Sequence, residues 1–221
     1  MPTITASTND GYQSSGLDAS WDNAHDAVGN SNPDINNATD INNGIRYEYV
    51  TARGPALYYL TRAFFDFDTS GISVAPSAAT FNLKIYANNA CTPCMVVKSG
   101  HDPATATDDW FSTWITGQGI TLSGWSAGDI TRYSGATTIG SVGAFTSFAF
   151  NASGLSDIAS LDLLKIGVLH NNDVMDVAPT SGTLRTGVYW ANHGTSAYRP
   201  YLDYTAGVAV TDNATFFGAN F

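Results

Sequence analysis

A chain of 221 residues carries a formal net charge of −10, with 43% hydrophobic and only 13% charged residues. Its length suits one large β domain or two small ones, and the apolar share is ample for an independently folding core. The acidic balance argues against a phosphate-binding surface, which needs clustered Lys and Arg, so no nucleic-acid partner is expected. No run of about 18 apolar residues offers a membrane span.

With so few charges, the surface has to be covered by Ser, Thr, Asn and Gly. Such a surface is hydrated but uncharged, and it suits contact with neutral glycans or with a protein lattice. The opening MPTITASTND has neither a basic segment nor an apolar one, so no secretory signal is expected there. Pro2 to Ser7 predicts an edge strand. From Asn9 to Asn43 the chain is dense in Asn and Asp, which favour turns over regular structure. A turn-rich stretch of this length is often functional or ion-bound. Asp10, Asp18, Asp22 and Asp26 are its candidate ligands for Ca2+, a cation that gathers about six to eight oxygens. The EF-hand order is absent, and ordinary turn-forming aspartates are the alternative.

Arg46 to Ala52 and Leu57 to Phe67 predict strands, separated by Arg53-Gly54-Pro55. In Thr80 to Tyr86, Phe81, Leu83 and Ile85 alternate with Asn82, Lys84 and Tyr86, the mark of a half-buried strand. The connection between these two segments, Asp68-Thr69-Ser70-Gly71 through Pro76-Ser77, is too long for a tight hairpin and predicts a crossing between sheets. The expected core includes Phe65, Phe67, Phe81, Leu83, Ile85, Ile166 and Val168.

Cys91 and Cys94 form a lone CxxC. Zinc needs about four ligands, and no second Cys or His pair completes the set. A redox motif wants a thioredoxin-like context that is missing. A small disulfide or two free thiols remain. Met95 to Lys98 predicts a short strand, and Asp102 to Trp114 a helix with Trp110, Phe111 and Trp114 on one face. Ile120 to Trp125 and Ala144 to Phe150 predict strands, and Gly154 to Leu161 one or two helical turns. Leu163 to Leu169 is an almost continuous apolar run, as in a strand covered on both faces. Gly187 to Ala191 and Tyr198 to Thr205 are the closing strands.

Catalytic signals are weak. The GxSxG string Gly124 to Gly128 lacks the strand-to-helix context of a nucleophile elbow. His25, His101, His170 and His193 lie far apart in loops or at strand ends and read as solvated or hydrogen-bonded. No enzyme is expected. The segment after Thr205 ends on apolar residues instead of fading into polar ones. Val208, Val210, Phe216, Phe217 and Phe221 are candidate assembly residues that either fold back on the domain or reach a neighbouring subunit.

Strand signals at close spacing with few helices predict an all-β fold: an antiparallel β-sandwich with one or two short helices. Residues 1–205 form the domain, with 10–45 as an Asn/Asp-rich elaboration, and 206–221 a tail. The segment RAFFDFDTSGISVAPSAATFNLKIY, led by Arg62, resembles the DNRLRE-type jelly-roll family, which is related to carbohydrate-binding modules and occurs in phage virion and secreted bacterial proteins. Asp10-Gly11-Tyr12, SFAFNASGLSDIASLDLLKIGVLHNNDV and YRPYLDYT extend the resemblance over residues 10–205. It implies a non-catalytic jelly roll that binds surfaces, glycans or other subunits. The expected role is a structural or attachment protein of a virion or other extracellular assembly. Its expected partners are copies of itself, other assembly proteins or a cell-surface glycan. The alternative is a module that recognises a neutral glycan.

Overall fold

In the computed structural model, residues 1–26, 33–35, 44–51, 54–100 and 128–209 are described. They form an all-β, antiparallel fold with short helices. The strands are β1 (Thr3–Thr5), β2 (Gly11–Ser14), β3 (Pro33–Ile35), β4 (Ile45–Val50), β5 (Leu57–Asp68), β6 (Ala78–Asn89), β7 (Cys94–Lys98), β8 (Phe145–Ala149), β9 (Leu163–His170), β10 (Thr183–Val188) and β11 (Tyr201–Thr205). The helices are α1 (Trp21–Asp26), α2 (Ala152–Ser160) and α3 (Asn171–Val174), with a 3-10 turn at Ser196–Tyr198.

Two long strands organise the pairing. β5 has β2 along one edge; β4 and then β9 follow one another along the other, because Thr61 pairs with both Ser14 and Arg46, and Ala63 with both Tyr12 and Val168. β6 pairs through its first half with β8 and β11 and through its second half with β10. β10 also pairs with β4, so hydrogen bonds run continuously from one hub to the other. β5 and β6 share no ladder, and their connection joins two strands of one continuous hydrogen-bonded sheet. Their side chains meet instead. The Phe81 ring centroid lies 5.2 Å from that of Phe65 and 5.7 Å from that of Phe67. All seven expected core residues are fully buried in one cluster around this contact.

Alternation explains which face each side chain takes. On β9, Leu164, Ile166 and Val168 enter the large cluster, whereas Leu169 joins Phe64, Met95, Val97, Ile130 and Val174 on the opposite side. The apolar run is therefore covered on both faces. Asn151 starts α2 by accepting a hydrogen bond from Gly154 N at 3.1 Å, and its amide also donates to the Arg132 carbonyl at 2.7 Å. Asn151→Ala is expected to cost about 1–2 kcal/mol, read as a lower urea midpoint with unchanged slope.

The turn-rich reading of the first 45 residues needs correction. β2 lies within the sheet between β3 and β5, and all four of its residues are buried. Only Tyr12 is a large apolar residue there. Ser14 instead bonds the Thr61 hydroxyl across the ladder at 2.9 Å, so polar pairing replaces the apolar pattern. The last strands also differ from the sequence reading. β10 begins at Thr183, ahead of Gly187, and a 3-10 turn precedes β11. The expected helix at Asp102 to Trp114, the strand at Ile120 to Trp125 and most of the GxSxG string lie outside the described residues.

Candidate functional site

Among the described residues, a dense grouping of chemistry-bearing side chains lies where α1 and α3 cover β4, β5 and β9. Arg62 projects from β5 and is fully buried. Its Nε donates to Asp173 Oδ2 at 2.8 Å and its Nη2 to Asp173 Oδ1 at 2.6 Å. The same Nη2 reaches the His25 carbonyl at 3.2 Å. Such a forked pair matches the planar guanidinium to a carboxylate. Asp173 is held by α3, which follows β9 directly, so the β5–β9 register fixes both partners.

His25 ties α1 to this pair. Its Nε2 lies 2.9 Å from the Asp173 carbonyl and its Nδ1 2.7 Å from Asp26 Oδ1. The Trp21 ring stacks on His25 at 4.8 Å, meets Tyr47 and Tyr58 edge-on, and donates from its indole nitrogen to Asp176 at 2.9 Å. One layer further, Tyr47 stacks on His170 at 4.3 Å. The His170 Nδ1 accepts from Asn172 N at 3.2 Å, which leaves Nε2 to donate to the Thr92 carbonyl at 3.3 Å. Burial holds this imidazole below its ordinary pKa, and pushes the Tyr47 phenol up to about 12. The Tyr47 hydroxyl donates to the Val177 carbonyl.

The cysteines sit beneath this layer. Of the two alternatives, a disulfide or free thiols, the structure holds the second: Cys91 and Cys94 are free and buried, and Cys94 Sγ donates to the Cys91 carbonyl at 3.1 Å. Burial and the neighbouring Cys94 raise the Cys91 pKa, which disfavours the thiolate needed to form a disulfide.

The four aspartates proposed for calcium do not converge. Gly11 pairs with Phe64 and Asp18 bridges to Tyr58, six positions apart on β5, so the extended chain carries Asp10 and Asp18 apart by roughly 20 Å. Asp18 Oδ1 accepts from Ser20 N at 2.7 Å and from the Asn23 amide at 3.3 Å, ahead of α1. Asp22 lies in the first turn of α1, and Asp26 binds His25. Among the described residues, no group of three or more His, Cys, Asp or Glu could hold a metal ion.

Asp10 is instead buried at the crossing from β1 to β2. Its Oδ2 accepts from Ala191 N at 2.6 Å, and its Oδ1 has no partner among the described residues. Burial raises its pKa to about 7, with the charge of Asp66 adding to the shift. Asp66, also buried, accepts from the Ser7 hydroxyl. The expected assembly residue Val208 is 89% exposed, while Val210, Phe216, Phe217 and Phe221 lie outside the described residues.

Sequence reasoning placed Arg62 on its strand but missed His25 and Asp173. A local signal existed for His25, because Trp21, Ala24 and His25 fall at i, i+3 and i+4 on one helical face. Nothing local marks Asp173, which lies 111 positions from Arg62. No protein-family model matches the chain, and a search of curated proteins finds no significant relative.

Proposed function

We propose that this chain is a non-enzymatic jelly-roll module, a structural or attachment protein of a virion or other extracellular assembly. The observation that carries this reading is where the reactive side chains sit. Cys91 and Cys94 are buried, with Cys94 donating to the Cys91 carbonyl; Arg62, Asp173 and His25 are buried too, and bond to one another, to backbone and to Asp26. These last three fasten α1 and α3 to the sheet and leave the outer surface to make contacts. The low share of charged residues supports the same reading. A second reading, recognition of a neutral glycan, is favoured by partly exposed rings on the outward side of β6, β8 and β11.

Assembly is assigned to the tail. Val208 is almost wholly exposed just after β11, and the apolar residues that follow gain about 1.5–3 kcal/mol each when large side chains are buried. Deleting residues 207–221 and measuring mass by light scattering tests this. The full chain is expected to form a defined oligomer and the truncated chain a smaller species. Equal masses and equal melts would remove the tail from assembly.

A further inference from the structure

The two rows of β6 differ in what they face. Phe81, Leu83 and Ile85 enter the core, which leaves Asn82, Lys84 and Tyr86 on the outward side. Register sets Phe145 of β8 beside Lys84, and both Ser147 of β8 and Tyr201 of β11 beside Asn82, so these side chains share the outward face. The segment after β10 and the 3-10 turn bring Tyr189, His193 and Tyr198 to the same side.

These rings form a continuous strip. Phe145 and Tyr201 meet at 5.3 Å across β6. Lys84 Nζ lies 4.8 Å from the Phe145 ring and 4.6 Å from the Tyr198 ring, and donates to the Gly143 carbonyl at 2.7 Å. Tyr198 lies 5.0 Å from Tyr189, which meets Tyr86 at 5.4 Å. Every one of these rings is partly exposed. From the row of Asn82 to that of Tyr86 the strip runs about 13 Å along the strand. Hydrogen-bonding groups border its Tyr201 end. Asn82 donates to Asp203 Oδ2 at 3.2 Å and accepts from the Ser147 hydroxyl at 2.7 Å, which fixes both at the surface.

We propose that this strip is a binding platform for a neutral polysaccharide. It rests on the attachment reading and names the ligand class and the surface. Sugar rings offer apolar C–H faces that stack on aromatic rings and hydroxyl edges that suit a carboxylate and a hydroxyl such as Asp203 and Ser147. Charge complementarity selects an uncharged ligand. Lys84 and Arg199 are tied to the carbonyls of Gly143 and His193, and Asp203 would repel an anion in a chain already at −10.

Affinity electrophoresis of the full chain, in native gels cast with mixed-linkage β-glucan, galactomannan or dextran, tests the proposal. Retardation is expected in at least one gel, with Tyr198→Ala and Tyr201→Ala each weakening binding about tenfold and Tyr198→Phe retaining most of it. Asp203→Asn, a milder surface change, is expected to weaken binding about threefold with an unaltered melt. Free migration in all three gels overturns the proposal. Retardation that persists in both alanine variants places glycan binding elsewhere and overturns the strip while leaving the attachment reading intact. Alanine variants that lower the solution mass without changing migration make the strip a subunit contact, which also overturns it.

Discussion

Asp173→Ala is expected to destabilise the fold by about 3–5 kcal/mol, a large part of the stability of a typical domain. The change removes the carboxylate that receives two bonds from a fully buried guanidinium. Water cannot replace it without opening the cover formed by α1 and α3. The loss therefore comes mainly from leaving Arg62 charged and desolvated, and much less from the attraction itself. A double variant, Arg62→Met with Asp173→Leu, separates the two. Replacing both charges with apolar side chains of similar size is expected to recover most of the loss, although His25 would lose one donor at its carbonyl. Urea midpoints of the two single variants and the double one make the comparison. A double variant as unstable as the sum of the singles would show that the pair does not act as a unit.

The second large effect is in pH. Folded Asp10 keeps its proton up to about pH 7, whereas an unfolded aspartate releases it near 3.8. Between those values the folded state binds more protons than the unfolded one, so this group's contribution falls as pH rises. About three pH units of difference correspond to a loss on the order of 4 kcal/mol across that window. Glu48, also raised by burial, acts in the same direction; His170, lowered by burial, opposes it below its ordinary pKa. The difference between the native chain and Asp10→Asn isolates the one group. The asparagine variant is expected to lose much less stability between pH 4 and 7, with little difference below pH 4. Parallel stability curves for the two proteins would mean that Asp10 is ionised throughout.

How much of this was legible depended on whether a contact is local. β6 shows itself because Phe81, Leu83 and Ile85 alternate with polar residues and only one face is buried. β9 shows itself as an almost continuous apolar run because it separates two clusters. β2 does not, since Gly11, Gln13 and Ser14 are buried through pairing with β3 and β5. The same logic applies to the cluster around Arg62. An arginine within an aromatic strand signals an unusual interior position, but its partner is supplied by a helix after β9 and by another that sequence patterning left as turns. Nearness in sequence suggests Asp10, Asp18, Asp22 and Asp26 as one set. An extended strand between Asp10 and Asp18 takes those two to different places.

The pairing of β1 with β11 has a mechanical consequence. β1 joins the sheet by only three positions, Thr3 to Asp203, Ile4 to Leu202 and Thr5 to Tyr201. Because the strands run antiparallel, residues 1–2 and the chain beyond Thr205 emerge at the same end of the ladder, where Tyr204 N reaches the Pro2 carbonyl at 3.2 Å. Tension between those two points would open the hydrogen bonds in succession, as in unzipping, instead of loading them together in shear. Under strain carried through the backbone, this corner would part first, while the deeper ladders of β5 and β6 stay closed.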